Sequence, residues 1–334
     1  MKTVIVYLGL AAAGYAAAIP LRKKKESFGW TGTFLMVLVR FLVLIMGFRI
    51  GSNGEVVSNL GTIGFQSLLI AVVSLAAAIG ALHVLRRVMG YDRYGRPVSG
   101  QTPPGKISVP GGSDRTENGS STAPSILNRS TVTMMLSVLV GFAAGFLLVL
   151  KLGMMDYDAA YHVTRGLVTW GLYIMVFLVG MDMGFDGTIV TVFRESGLKI
   201  LVFPLVTAAA TLAAVLLCGL LTPLSLQETA AVGCTFCWYS LGPNIMMEAG
   251  MVMAGAYCFL VNFFRVLLSL VLIPAVAERV GYLETTGMPC AAAMDVCIAT
   301  ITQATNKETA VYAFASGVVF TAAIPIVVPL IAGL

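Results

Sequence analysis

Ten stretches of this chain stay apolar for about as long as a helix needs to cross a bilayer, and this narrows the available folds more than any other feature. Crossing about 30 Å of hydrocarbon takes roughly 20 helical residues. With soft edges the stretches are 2–20, 30–50, 62–85, 131–150, 167–186, 198–221, 228–249, 255–276, 286–303 and 309–332. They are continuously apolar and lack two-residue alternation, so they read as helices and not barrel strands. Charged residues make up 11% of the 334, against about 25% in a soluble domain. The expectation is an all-α polytopic membrane protein, one transmembrane domain over 1–334 with about ten transmembrane helices.

The longest polar stretch, 86–129, is rich in Gly, Pro, Ser and Thr and reads as a flexible cytoplasmic loop. The net charge of +5 then speaks of topology rather than nucleic acid. With the N-terminus outside, inner loops carry 14 basic residues: Arg22, Lys23, Lys24, Lys25, seven between 86 and 129, Arg194, Lys199 and Lys307. Outer positions carry four (Lys2, Lys151, Arg165, Arg279), and three lie within spans. This imbalance follows the positive-inside rule and puts both termini outside. The alternative, a cleaved signal ending near Ala18, would leave Arg22–Lys25 on the outer side.

An internal duplication is visible. Residues 44–80 align without gaps on 177–213, 133 positions later. Gly47, Gly51, Gly54 and Gly64 fall on Gly180, Gly184, Gly187 and Gly197, with Val57, Leu68, Val73, Ala76 and Ala77 also on identical residues. Three spans separate equivalent points, so the copies are expected to run oppositely through the membrane. Secondary transporters are commonly built from such an inverted repeat.

Six ionisable residues fall within or at the ends of spans: Arg40, Arg49, Asp182, Glu248, Arg265 and Asp295. Each costs about 2.5–3.5 kcal/mol at a helix centre and so needs a partner, a water cavity or a role. Arg49 and Asp182 are equivalent in the duplication, and a structural or gating ion pair between them is expected. Arg40 reads as snorkelling. Asp295, Thr302 and Asn306 fall on one stripe of a helix, which points to a cavity or to interhelical hydrogen bonds. In GCTFCWYSLGPNIMMEAG, Ser240, Asn244 and Glu248 are four apart around Pro243. Pro243 either interrupts the span near its middle, freeing backbone for a ligand, or marks a turn at the surface with Glu248 solvated. Asn262 and Arg265 share a face of the next span, the arginine suited to a carboxylate.

The six cysteines lie in apolar context, and Cys234 and Cys237 read as packing residues in a CxxC, with no metal and no cofactor expected. Asp182 and Asp295 could form a protease dyad, yet no Gly-x-Gly-Asp, HExxH, GxSxG or P-loop occurs, so an enzyme is not expected.

At Phe177–Gly184, Trp238-Tyr239-Ser240-Leu241, Arg265 with Leu272-Ile273-Pro274, Met294-Asp295 and Ile324–Pro329, the chain resembles the LysO-type lysine exporter family of prokaryotic membrane proteins. The resemblance covers most of the chain except 86–129. It departs at Val261-Asn262-Phe-Phe-Arg265-Val266, which lacks two acids of the family pattern, at Gly242-Pro243, and after Asp295. The resemblance implies export of L-lysine or a related small amino acid across the inner membrane, driven by protons or another cation. A transporter of a different metabolite or ion, or a passive channel, is the alternative. Asp295 would be the family's intramembrane aspartate, coupling protons (with Glu248) and meeting a substrate ammonium. Tyr239, Ser240, Asn244, Asn262 and Thr302 would orient the substrate, and Arg265 would take its carboxylate.

Overall fold

The computed structural model describes residues 2–21, 30–96, 129–154, 156–185 and 198–334. The basic run 22–25, most of the polar loop (97–128) and Arg194 lie outside the described residues. Among those described the architecture is helical throughout. In chain order the helices are α1 (Lys2–Leu21), α2 (Trp30–Ser52), the short α3 (Gly54–Ser58), α4 (Leu60–Val88), α5 (Arg129–Gly145, continued by a π-helical turn Phe146–Lys151) and α6 (Tyr157–Phe185). There follow α7 (Val202–Gly219), α8 (Leu226–Gly233), α9 (Gly242–Glu248), α10 (Val252–Arg279), α11 (Ile298–Ala304) and α12 (Lys307–Ala332). Among the described residues, six helices are long and apolar enough to cross a membrane, those containing Trp30–Ser52, Leu60–Val88, Tyr161–Phe185, Lys199–Gly219, Val252–Arg279 and Glu308–Ala332. The apolar parts of α1 and α5, Ile5–Leu21 and Met135–Lys151, are shorter.

Two of the ten apolar runs do not become through-going helices. The run 228–249 splits into α8 and α9, and 286–303 into 3-10 turns (Leu283–Gly287, Cys290–Ala293) followed by α11. Their contacts show where they go. Tyr282 N–H donates to Arg93 O (2.9 Å), and Asn306 Nδ2 donates to Tyr94 O (3.0 Å). Both ends of the second segment therefore sit at the end of the bundle where α4 finishes, which carries Arg86, Arg87, Arg93 and Arg96. At the opposite end, Gln227 Nε2 donates to Ile331 O (2.7 Å) and Gln66 Nε2 to Leu221 O (2.6 Å), while Tyr257 bonds Gln66. So α8 begins, and α10 begins, beside the start of α4. Each broken segment enters and leaves at one end. Neither has enough residues to cross twice at 1.5 Å per helical residue, and each reaches about halfway. The two hairpins approach from opposite ends and touch at their tips, where Ala291 N–H donates to Phe236 O (3.0 Å).

Helix starts are legible in the residues. Ser225 and Glu228 form a capping box at α8, and the Asn306 side chain accepts from Thr309 N–H to start α12. Pro243 sits in the first turn of α9, where its missing donor costs nothing. Gly242-Pro243-Asn244 thus restarts a helix; the break itself lies earlier, at 234–241.

Helices α1, α2, α5 and α6 form a separate panel held by glycines. A Cβ on Gly14 would strike Phe177 O and crowd Met181 N, and one on Gly141 would strike Leu44 O and crowd Phe48 N. Gly180 packs on Ala11 and Gly184 on Tyr15, as Gly47 does on Val138 and Gly51 on Phe142. These registers make α1 parallel to α6 and α2 parallel to α5. Arg49 meets Thr164, and Gly171 meets Leu42, so α2 and α6 are antiparallel. Small residues let backbones approach where lipid gives no hydrophobic drive between helices. Gly141→Val is therefore expected to cost about 1–3 kcal/mol through overpacking, read as a lower melting temperature in detergent. Gly64→Val, with nothing within 4 Å of its added Cβ, should leave the melt unchanged.

Candidate functional site

The hairpin tips are held by one helix face. From α10, Asn262 Oδ1 accepts Cys237 N–H (2.8 Å), and its Nδ2 donates to Thr235 Oγ1 (2.6 Å) and Cys258 O (2.8 Å). One turn on, Arg265 Nε donates to Met288 O (3.0 Å), Nη2 to Gly287 O (3.2 Å), and Nη1 and Nη2 to Thr211 Oγ1 (3.1 Å). Broken helices free backbone groups that must find partners away from water, and these two side chains supply them. Asn262 steadies the first tip and Arg265 the second. Phe236 (φ 39°), Cys237 (φ 67°) and Cys290 (φ 46°) take left-handed backbone there, a strain of about 1–3 kcal/mol each that persists only under such support. Gly317 of α12 leaves room for the Met294 backbone beside the second tip.

Between these tips and the panel lies a cavity of about 480 Å³. It extends from Gly32, in the first turn of α2, along Met36 and Val39 and along the last part of α6 (Met175, Val179, Asp182, Met183). Its other wall is Cys237–Ser240, Ala291, Ala292, Met294, Asp295 and Val296, with Thr321 from α12. It thus occupies the half of the bundle nearer the basic end. Asp295 is exposed to it although Ala293 and Cys297 on either side are 0% exposed. Asp295 Oδ1 accepts the Val296 N–H, and Asp182 and Tyr239 lie within electrostatic reach of it. Two carboxylates share this space, and among the described residues no Lys, Arg or His lines it. Such a site favours a cation, because a charge in a low-dielectric, partly enclosed space needs a nearby opposite charge. The four methionines, which adapt their shape readily, line the rest with apolar surface.

The expected site residues divide. Asp295, Tyr239 and Ser240 line the cavity. Asn262 and Arg265 do share a face, but it points into the hairpin backbone and is 3% and 2% exposed. Asn244 is fully buried, its Nδ2 donating to Ser240 O (2.7 Å). Thr302 donates to Ile298 O within α11 (2.8 Å), and Asn306 caps α12. The stripe with Asp295 does not form, because α11 starts only at Ile298 and ends at Ala304. Glu248 lies outside the cavity, near the opposite end, accepting from Tyr7 Oη (2.8 Å) and Thr169 Oγ1 (3.1 Å).

Arg49 and Asp182 do not pair. Arg49 Nε donates to Thr164 Oγ1 (2.9 Å), and its guanidinium sits 4.7 Å from the centre of the Tyr161 ring. Asp182 is 18 residues further along α6, roughly 27 Å at helical rise. Sequence reasoning thus missed Asp182 as a cavity carboxylate, and missed Thr321 and the methionines, which look like ordinary helix residues in one dimension. All six cysteines are buried free thiols.

No curated protein and no solved structure matches the chain. The family model of the lysine exporter LysO matches residues 128–332, a stretch that contains both hairpins, both cavity carboxylates and the arginine and asparagine that brace them. That match covers more than half of the protein and describes transport rather than catalysis: the chain belongs to the LysO lysine exporter family, multi-pass membrane proteins of amino-acid export.

Proposed function

We propose that this protein is a secondary active exporter of L-lysine or a closely related small amino acid, coupled to protons. The observation that carries the reading is the cavity that brings Asp182 and Asp295 together, with no Lys, Arg or His among the described residues that line it. A substrate ammonium entering from the basic, cytoplasmic end meets both carboxylates, while the methionines accept an aliphatic stem. Tyr239 and Ser240 offer hydroxyls for orientation. A proton on Asp295 removes the charge that holds the ammonium, so protonation and substrate binding exclude one another and one acid couples two fluxes.

Alternating access needs two bodies that can exchange arrangements. The panel and the hairpin-bearing body fit this role, with the cavity between them. The panel contacts also support the duplication. The atoms Gly14 meets lie on Phe177 and Met181, 133 positions after the Leu44 and Phe48 that Gly141 meets. With α1 and α6 running one way and α2 and α5 the other, the first helix pair is inverted relative to the second. This also accounts for Arg49 and Asp182, since equivalent positions of oppositely running copies end at opposite depths. Orientation in a prokaryotic inner membrane, both termini outside, follows from the basic end facing the cytoplasm. Because the first hairpin turns back, α10 ends at this same side and carries Arg279 there, rather than to the outer side expected from the sequence.

The test is lysine transport in proteoliposomes with an imposed pH gradient. Concentrative movement that collapses with a protonophore is expected, and Asp182→Asn should raise the KM for lysine about tenfold, the cost of losing one charge-assisted contact. Lysine movement that never exceeds equilibration indicates a channel and overturns the coupling.

A further inference from the structure

Among the buried charges outside the cavity, one has an open guanidinium fork. Arg49, in the last turn of α2 and 2% exposed, has its Nε and ring contacts on Thr164 and Tyr161, but both terminal nitrogens, Nη1 and Nη2, are buried with no hydrogen-bond partner. Arginine cannot shed its proton to relieve this, and a guanidinium fork left open is shaped for two oxygens of a carboxylate. Glu248 lies within electrostatic reach of it, as do Tyr157, Tyr161 and Arg165. Three bonds close the surroundings: Tyr7 Oη and Thr169 Oγ1 to Glu248, and Tyr161 Oη to Met247 O (3.4 Å). Each joins a panel helix, α1 or α6, to α9 of the first hairpin. They seal the end opposite the cavity, and they are the contacts that separate if the panel and hairpins move apart.

We propose that Arg49 and Glu248 form a second amino-acid site at this opposite end, exposed when those three bonds part. Arg49 takes the substrate α-carboxylate through its two free nitrogens, and Glu248, released from Tyr7 and Thr169, takes an ammonium. The described lining of the inner cavity has acids and no cation, so it grips the amino end of a zwitterion. The outer site supplies the missing complement. This rests on the amino-acid reading above.

The experiment is equilibrium binding to the detergent-purified full chain, by thermal-shift titration, of L-lysine against L-lysinamide, which lacks the carboxylate. It is run in the Asp295→Asn background to weaken the inner cavity. Lysine is expected to bind at least tenfold tighter than lysinamide. Arg49→Gln should erase that preference without changing lysinamide affinity, and Arg49→Lys, which keeps the charge, should restore part of it. Equal affinity for the two ligands, or a preference that survives Arg49→Gln, overturns the second site. Lysine efflux by the parent protein, with Asp295 intact, is measured alongside in proteoliposomes. Efflux without a carboxylate preference sinks this site alone, and a preference without efflux sinks the exporter reading alone.

Discussion

Asp295→Asn is expected to abolish concentrative lysine transport while leaving the protein folded. The side chain is exposed to the cavity and accepts the N–H of Val296, which an asparagine oxygen also accepts. The substitution therefore removes a charge and little else. With no acid to alternate between proton and ammonium, lysine flux should fall by two orders of magnitude or more, about 2.7 kcal/mol or above at 1.36 kcal/mol per decade. Whatever flux remains should no longer respond to a pH gradient. The check is counterflow in proteoliposomes at two pH values, beside a detergent melting curve. Accumulation against a gradient by Asp295→Asn would show that the coupling proton is carried elsewhere.

The second large effect concerns Arg265, and here stability and function part company. Its guanidinium holds Gly287 O and Met288 O, both buried where the second hairpin turns inward. Arg265→Leu strands these carbonyls at about 1–3 kcal/mol apiece and frees the left-handed tip at Cys290. The melting temperature in detergent should drop well below that of the parent. Arg265→Lys keeps a charge but lacks the planar fork, so it should recover part of the loss. A variant that melts like the parent yet loses affinity for the lysine carboxylate would make Arg265 a substrate ligand. In the structure it is a brace, turned away from the cavity.

This contrast shows what residue type alone conveys. Insertion costs made Arg265 and Asp295 conspicuous in the sequence, and helical spacing tied Asn262 to Arg265; all three matter to the hairpin tips. Their roles depend on direction. Asn262 and Arg265 point at backbone carbonyls and amides that exist only because two helices are broken, whereas Asp295 points at open space. The Pro243 motif likewise announced an interruption, but at a first helical turn proline is harmless. The unwound residues 234–241 before it contain nothing that forbids a helix.

By itself the sequence determined the class: too few charges for a soluble surface, apolar runs of spanning length, a basic end, a duplicated glycine register and an acid that needs a reason to be in lipid. These follow from local composition and periodicity, which a bilayer reads directly as transfer free energy. Only the tertiary structure decided that two of the ten runs turn back halfway, that Asp182 joins Asp295 in one cavity, and that two guanidinium nitrogens of Arg49 stay without a hydrogen bond. Those outcomes depend on which side chain reaches which freed backbone group across the bundle, and contacts between residues tens to hundreds of positions apart leave no periodic trace along the chain.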